Sequence, residues 1–338
     1  MSGTEPALYQ GTGVQEPQAP YTEREWPAGP PWRTFDTEPS MPEPPDDREA
    51  DRRLGPGSIR RTPPPDEVRM VNAALLLRRP LLVTGRPGVG KSGLAYRIAR
   101  ELRLGRVLHW PITSRTTLTS GLYEYDAIGR AQAAHEDGNT DGVGSYVQLG
   151  PLGTALLPYR LPRVLLIDEL DKCDMDLPND LLTVFEDGRY SIPPLVRTKR
   201  LEPRAQVHTA DPGGTAEIEE GEVRCHAFPV VVMTSNGERE FPEAFMRRCL
   251  RLEVRDPGAE ALGQMVGAHF GDRLGARQQQ LIEDFLRRRE EVGGLAADQL
   301  LNAVHLVTSG HQAGPPDDWE ELLTAIWHPL GDEGAGQA

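Results

Sequence analysis

The stretch Gly85-Arg86-Pro87-Gly88-Val89-Gly90-Lys91-Ser92 constrains the chain more than any other. It satisfies the phosphate-loop pattern G-x-x-x-x-G-K-[ST]. The pattern carries meaning only between a strand and a helix, and both signals are present. Pro80-Leu81-Leu82-Val83-Thr84 is a short apolar run ending at the first glycine. Beyond Ser92, the apolar residues Leu94, Ala95, Ile98 and Leu102 recur at helical spacing. Strand, glycine loop and helix together aim backbone N–H groups and the positive end of a helix dipole at one point, which suits a phosphate. In such a loop Lys91 reaches the β- and γ-phosphates of a nucleoside triphosphate, and the Ser92 hydroxyl ligates Mg²⁺.

Binding alone does not hydrolyse a nucleotide. Hydrolysis needs a held metal ion and an attacking water oriented in line with the γ-phosphate. Arg163-Val164-Leu165-Leu166-Ile167 reads as a buried parallel strand, closed by Asp168-Glu169. Asp168 is placed to bind Mg²⁺ and Glu169 to polarise the water as a general base. A later apolar run, Val230 to Ser235, ends at Asn236, whose neutral amide can hydrogen-bond the water or the γ-phosphate. Arg247 and Arg248 follow a short helical stretch through Glu243-Ala244-Phe245-Met246. Adjacent arginines form either a solvated face or an arginine finger that enters the site of a neighbouring subunit.

Strand-like runs at 80–84, 106–112, 163–167, 230–235 and 250–254 alternate with helical patterns, which implies an α/β domain over 66–256 with a mostly parallel sheet covered on both faces. Two insertions interrupt it. One, near 121–148, is rich in Gly, Asp and Ala; the other, near 197–228, is polar and reads as an exposed hairpin or loop. From 257 to 338 strands cease, and helical patterns at 259–270, 276–292, 296–308 and 318–327 imply a small helical domain. Residues 1–65 hold 14 of the 31 prolines and no apolar periodicity. Such a stretch buries too little surface to offset chain entropy and is expected to be disordered or extended. Its Tyr21, Trp26, Trp32 and Phe35 either stay solvated or dock on a partner or neighbouring subunit.

The formal net charge of −14 argues against sequence-independent nucleic-acid binding, whose footprint is a basic surface. No run of 18 apolar residues predicts a membrane span, and no signal-peptide pattern is visible. Cys173, Cys225 and Cys249 form no C-x-x-C pair, so reduced thiols and a cytoplasmic protein are expected.

Taken together, Gly85–Ser92, Val164–Glu169, Thr234-Ser235-Asn236 and Pro242–Arg248 resemble the Walker A, Walker B, sensor 1 and arginine-finger motifs of an AAA+ ATPase. Within that superfamily the chain resembles the MoxR branch, through Leu149-Gly150-Pro151-Leu152, through Asp168-Glu169-Leu170-Asp171-Lys172 with Asn179-Asp180-Leu181-Leu182, and through the positions of both insertions. The resemblance implies ATP and Mg²⁺ as ligands, a P-loop NTPase sheet of five parallel strands in the order 5-1-4-3-2, and a helical lid. It also implies a homo-oligomer, a hexameric ring with the nucleotide at each interface. By analogy alone it implies a remodeller or chaperone acting beside a von Willebrand factor A domain partner. An ATP-gated switch with little turnover, or a nucleic-acid motor, are the alternatives. The finger position reads Arg247-Arg248-Cys249 where the family usually has Asp-Arg-Phe; alignment favours Arg248, with Arg247 the alternative. The stretch Ala296 to Val304, where a sensor 2 arginine is expected, has none. Gln299 makes a weaker contact there, or another arginine serves, or the lid is uncoupled. Tyr123 and Tyr125 either grip a substrate in a central pore or pack locally.

Overall fold

A computed structural model describes residues 7–15, 21–22, 25–35, 37–56, 59–133, 142–271, 275–309 and 316–328. Five short strands form the central sheet: β1 (Leu81–Thr84), β2 (Leu108–Pro111), β3 (Val164–Asp168), β4 (Val230–Ser235) and β5 (Leu250–Glu253). All neighbours pair in parallel, in the order β5-β1-β4-β3-β2. This is the arrangement the resemblance implies. The strands are almost continuously apolar because both faces are covered. Alternate residues feed two separate cores, as a period of two requires. Leu82, Leu165, Ile167, Val231 and Met233 point to one. Leu81, Val83, Val164, Leu166 and Val232 point to the other.

Register sets what meets at the carboxyl ends of these strands. Thr84 lies beside Ser235, Met233 beside Ile167, and Pro111 beside Asp168. The ends of β1, β4 and β3 are therefore flush, and whatever follows them converges. From β1 the chain passes through the phosphate loop into a helix over Gly93–Leu102, whose Leu94, Ala95, Ile98, Ala99 and Leu102 are buried against the second core.

Both insertions join a second sheet of six strands. Its centre is an antiparallel hairpin of Arg204–His208 and Thr215–Glu219, flanked by Val147–Leu149 and Glu222–Arg224. The expected hairpin is present but it is not a free loop. Ala205, Val207, Ala216, Ile218 and Val223 are buried, with charged or polar residues alternating outward. Its turn is fastened to the central sheet by a buried ion pair. Arg163, just before β3, donates to both carboxylate oxygens of Asp211 at 2.7 and 2.9 Å and lies over the Tyr159 ring. The Gly/Asp-rich stretch 134–141 lies outside the described residues. Tyr123 and Tyr125 are half-buried against the first core, and the Tyr125 hydroxyl accepts from Arg130.

The described amino-terminal residues differ in part from the expectation of an extended or disordered arm. Several of them complete the second core: Tyr9, Trp26 and Ala50 are buried. Two helices bracket this packing, α1 (Arg48–Leu54) and α2 (Pro65–Leu77); the loop helix is α3 (Gly93–Leu102). The Tyr9 hydroxyl donates to Glu67 Oε1 at 2.7 Å, and Asn72 bonds both the N–H and the carbonyl of Tyr9. Glu101, fully buried on α3, accepts backbone N–H groups from Gln10, from Gly11 at 3.1 Å and from Gly13 at 3.3 Å. These carboxylates supply what the arm's own sequence lacks, fixed partners for its backbone. Burial, and then Glu67, push the Tyr9 hydroxyl pKa upward; burial would raise that of Glu67 too, but Arg97 and Arg61 outweigh it and hold it low.

Among the described residues, four helices follow β5: α4 (Ala259–Phe270), α5 (Ala276–Val292), α6 (Ala297–Thr308) and α7 (Pro316–Ile326). They surround a third core that includes Leu262, Phe285, Leu300, Val304 and Trp327. Among the described residues no helix is long and apolar enough to cross a membrane. Cys173, Cys225 and Cys249 are free and buried.

Tyr9→Phe keeps the ring but removes the donor to a charged carboxylate, and is expected to lower stability by about 1.5–3 kcal/mol. Urea denaturation of the full chain measures this. An unchanged midpoint contradicts docking of the arm.

Candidate functional site

The loop Gly85–Ser92 occupies the crossing from β1 to α3, at the carboxyl edge of the central sheet. All three of its glycines have positive φ, and two of them mark the site. Gly90 has φ +87° and a Cβ there would meet nothing within 4 Å, so the open space of the cradle lies beside it. Gly88 has φ +75°, and its Cβ would fall 2.3 Å from that of Ala296. The carboxyl-terminal helical segment meets the loop at this point, where the Ala297 N–H donates to the Gly88 carbonyl at 3.0 Å. Among the described residues, the N–H groups of Val89, Gly90, Lys91 and Ser92 donate to no protein acceptor. A run of free donors at the start of a helix is what an anion needs.

Lys91 is nearly buried, and its ammonium donates to the carbonyls of Gly85 (2.8 Å) and Arg86 (2.9 Å) and to Asn236 Oδ1 (2.7 Å). Burial lowers its pKa, against the opposing pull of Asp171, Asp168 and Glu169. The Ser92 hydroxyl does not cap α3. It donates to Asp168 Oδ1 at 2.6 Å. Thr234 donates to the same oxygen at 2.6 Å, and His109 Nε2 lies 3.2 Å from Oδ2. Burial alone would raise the Asp168 pKa; the bonds from His109, Ser92 and Thr234 prevail and bring it down to about 2. Asp168 thus presents an ionised carboxylate beside a serine hydroxyl. This hard-oxygen pair suits Mg²⁺, which takes one or two protein oxygens and completes its shell with phosphate and water.

Glu169 stands in a left-handed backbone conformation, φ +61° and ψ +50°. That is uncommon outside glycine and turns the chain away from β3. Its N–H donates to Thr234 Oγ1 at 2.8 Å, so one threonine hydroxyl links both acids. Its half-exposed carboxylate pairs with Lys172 at 2.8 Å. Asn236 follows β4 directly, with Oδ1 on Lys91 and Nδ2 3.3 Å from Glu238. The structure therefore gathers the loop, Lys91, Ser92, Asp168, Glu169 and Asn236 at one edge. His109, Thr234 and Asp171 also belong there; from the sequence, Thr234 and Asp171 were quoted only within motifs, without a role of their own, and His109 was not singled out. A polar Thr inside the apolar run before Asn236 was the visible signal for Thr234.

Arg247 and Arg248 are not brought to this edge. They precede β5, whose Leu250 pairs with Leu81, at the opposite end of β1 from the loop. Both side chains are exposed. Arg248 Nε lies 3.1 Å from Glu186, and no side-chain bond is recorded for Arg247 among the described residues. Gln299 does not face the loop either. Its Oε1 caps the Ala296 N–H and its Nε2 donates to the His328 carbonyl, both inside the helical segment.

The profile of the AAA domain family, dynein-related subfamily, matches residues 80–249. Among solved structures, a variant of RuvB from Thermotoga maritima is similar at 13% identity and a TM-score of 0.38, over 77% of this chain. The match spans 66% of that chain, less than two thirds of its length. No curated protein matches the chain.

Because the Asp168 pKa is depressed, its bonds stabilise the fold above its ordinary value near 4, and that stability is lost as pH falls toward about 2. In Asp168→Asn this acid-limb loss is expected to shrink. Urea midpoints at pH 4, 3 and 2 for both proteins check it.

Proposed function

The chain belongs to the AAA domain family, dynein-related subfamily, and from that premise we propose that it is an oligomeric, magnesium-dependent ATPase. One observation carries the reading. Lys91, Ser92, Asp168, Glu169 and Asn236 converge on a loop whose N–H groups are free. In this reading the loop N–H groups and Lys91 hold the β- and γ-phosphates, and Ser92 and Asp168 hold Mg²⁺. The ion, when bound, neutralises charge on the phosphoryl group being transferred. Glu169 accepts the proton of the attacking water, and Asn236 orients that water or the γ-phosphate. Residues 66–256 act as the base and 257–338 as the lid.

The placement of Arg247 and Arg248 supports an assembly. An arginine at the far end of the sheet cannot serve its own loop, since a four-residue strand alone spans on the order of 10 Å. Arg248, with Arg247 the alternative, is the finger for a neighbour's site in a ring, which we take as hexameric. The finer reading is a MoxR-type remodeller or chaperone acting on a protein partner, possessing a von Willebrand factor A domain by analogy. Three buried free thiols suit a reducing compartment such as the cytoplasm. A second reading, an ATP-gated switch with little turnover, is favoured by the Lys172–Glu169 pair, which engages the proposed base.

Glu169→Gln is expected to keep ATP binding and cut hydrolysis by about 100-fold or more. Phosphate release and equilibrium binding measure the two separately, and undiminished hydrolysis contradicts the assignment. A variant that keeps full cellular function would favour the switch. Lys91→Ala and Arg248→Ala chains should each be inactive, yet regain ATPase when mixed, because some interfaces then hold one intact half from each. A mixture as inactive as its parts contradicts a finger supplied in trans; Arg247→Ala in the same assay distinguishes the two arginines.

A further inference from the structure

Asp171 is almost fully buried, at 2% exposure, in a one-turn 3-10 helix over Leu170–Lys172 that begins directly after Glu169. Its Oδ2 accepts two backbone N–H groups from another element, Asn236 at 2.8 Å and Glu238 at 3.3 Å. Its Oδ1 is buried with no hydrogen-bond partner among the described residues. A buried carboxylate is costly unless its oxygens are bonded, so a side chain held this way has a use beyond packing.

The turn it grips is exposed, and Asp171 takes two of its backbone N–H groups. Gly237, Glu238 and Arg239 are exposed, and Gly237 has φ +81°. Besides Asp171, the Gly237 N–H donates to Ser235 Oγ at 3.0 Å, Asn236 Nδ2 donates to Glu238 at 3.3 Å, and the Arg239 side chain donates to the Cys173 carbonyl at 3.1 Å. Yet the turn carries Asn236, whose side chain must stay within 2.7 Å of Lys91. We propose that Asp171 is a positioning residue that fixes Asn236 through its backbone and keeps it in register with Glu169. The left-handed step at Glu169 directs the chain from β3 toward β4, and two residues later Asp171 reaches the end of β4. One short turn thereby holds the proposed base and the proposed sensor together. Asp171 also comes first among the acids that favour the charged Lys91 ammonium.

The geometry stands by itself; the kinetic consequence rests on the ATPase reading above. In the full-length chain, Asp171→Ala is expected to lower kcat about 30-fold while ATP affinity changes less than about 3-fold, because a mispositioned group costs turnover more than binding. Asp171→Asn should recover to within about 3-fold of wild type, since an amide oxygen accepts the same two N–H groups. In an Asn236→Ala background, Asp171→Ala should cost less than about 2-fold more, as expected of residues acting through one another. Hydrogen exchange gives a readout independent of turnover and needs no nucleotide. The Asn236 and Glu238 amides should be protected in wild type and Asp171→Asn, and exchange faster in Asp171→Ala. Unprotected amides in wild type overturn the proposal without any variant. So does a double variant whose loss is the product of the single losses, or an Asp171→Asn as impaired as Asp171→Ala. If the exchange results hold but wild type neither binds nor hydrolyses ATP, the ATPase reading fails and the positioning assignment stands.

Discussion

Two hydroxyls converge on one carboxylate oxygen. Ser92 from the phosphate loop and Thr234 from β4 both donate to Asp168 Oδ1, and Thr234 also receives the Glu169 N–H. Bonds to an ionised acceptor are roughly twice as strong as neutral ones, and this acceptor is partly buried. They join three strand ends that are far apart in sequence, and they depend on register. A slip of one residue would turn Thr234 to the opposite face of the sheet and move Met233 into its place. The sheet's pairing and the chemistry at its edge therefore constrain each other. The apolar alternation in β3 and β4 selects the register that the polar residues at their ends require.

This coupling explains what could be read in advance. The loop, the two acids and Asn236 are marked by local context, each at the end of an apolar run, and the strand order followed from the family those motifs resemble. The carboxyl-terminal helices were legible from spacing. The supporting residues were not, because their roles exist only across elements. His109 matters because β2 lies beside β3, and Asp171 because a turn carries it to the end of β4. In the second sheet the buried positions include small residues, Ala205 and Ala216, between polar or charged ones, and that pattern looks like a solvated loop until the hairpin pairs. Arg163 and Asp211 similarly have no meaning until the hairpin's turn reaches the start of β3.

The contact between the carboxyl-terminal helices and the loop is of a different kind. The helical segment touches the phosphate loop by backbone and methyl groups, Ala297 on Gly88 and Ala296 beside it. Gln299, at the position where a charged contact was sought, secures the start of its own helix and the end of the chain's described part instead. At these two residues the contact is made by a backbone N–H and a methyl group, not by a charged side chain.

The arm has a consequence for where the molecule can be divided. Tyr9, Gln10, Gly11 and Gly13 bond to Glu67 and Glu101, acids on α2 and α3, and α3 is the helix that springs from the phosphate loop. A fragment cut at residue 66 would keep every family motif. It would also strip a buried acid on that helix of the donors described here, and open the core beneath Tyr9 and Trp26 to solvent. The unit that folds is longer than the unit that is recognised, and for domain dissection, tagging or crystallisation the boundary belongs before Tyr9.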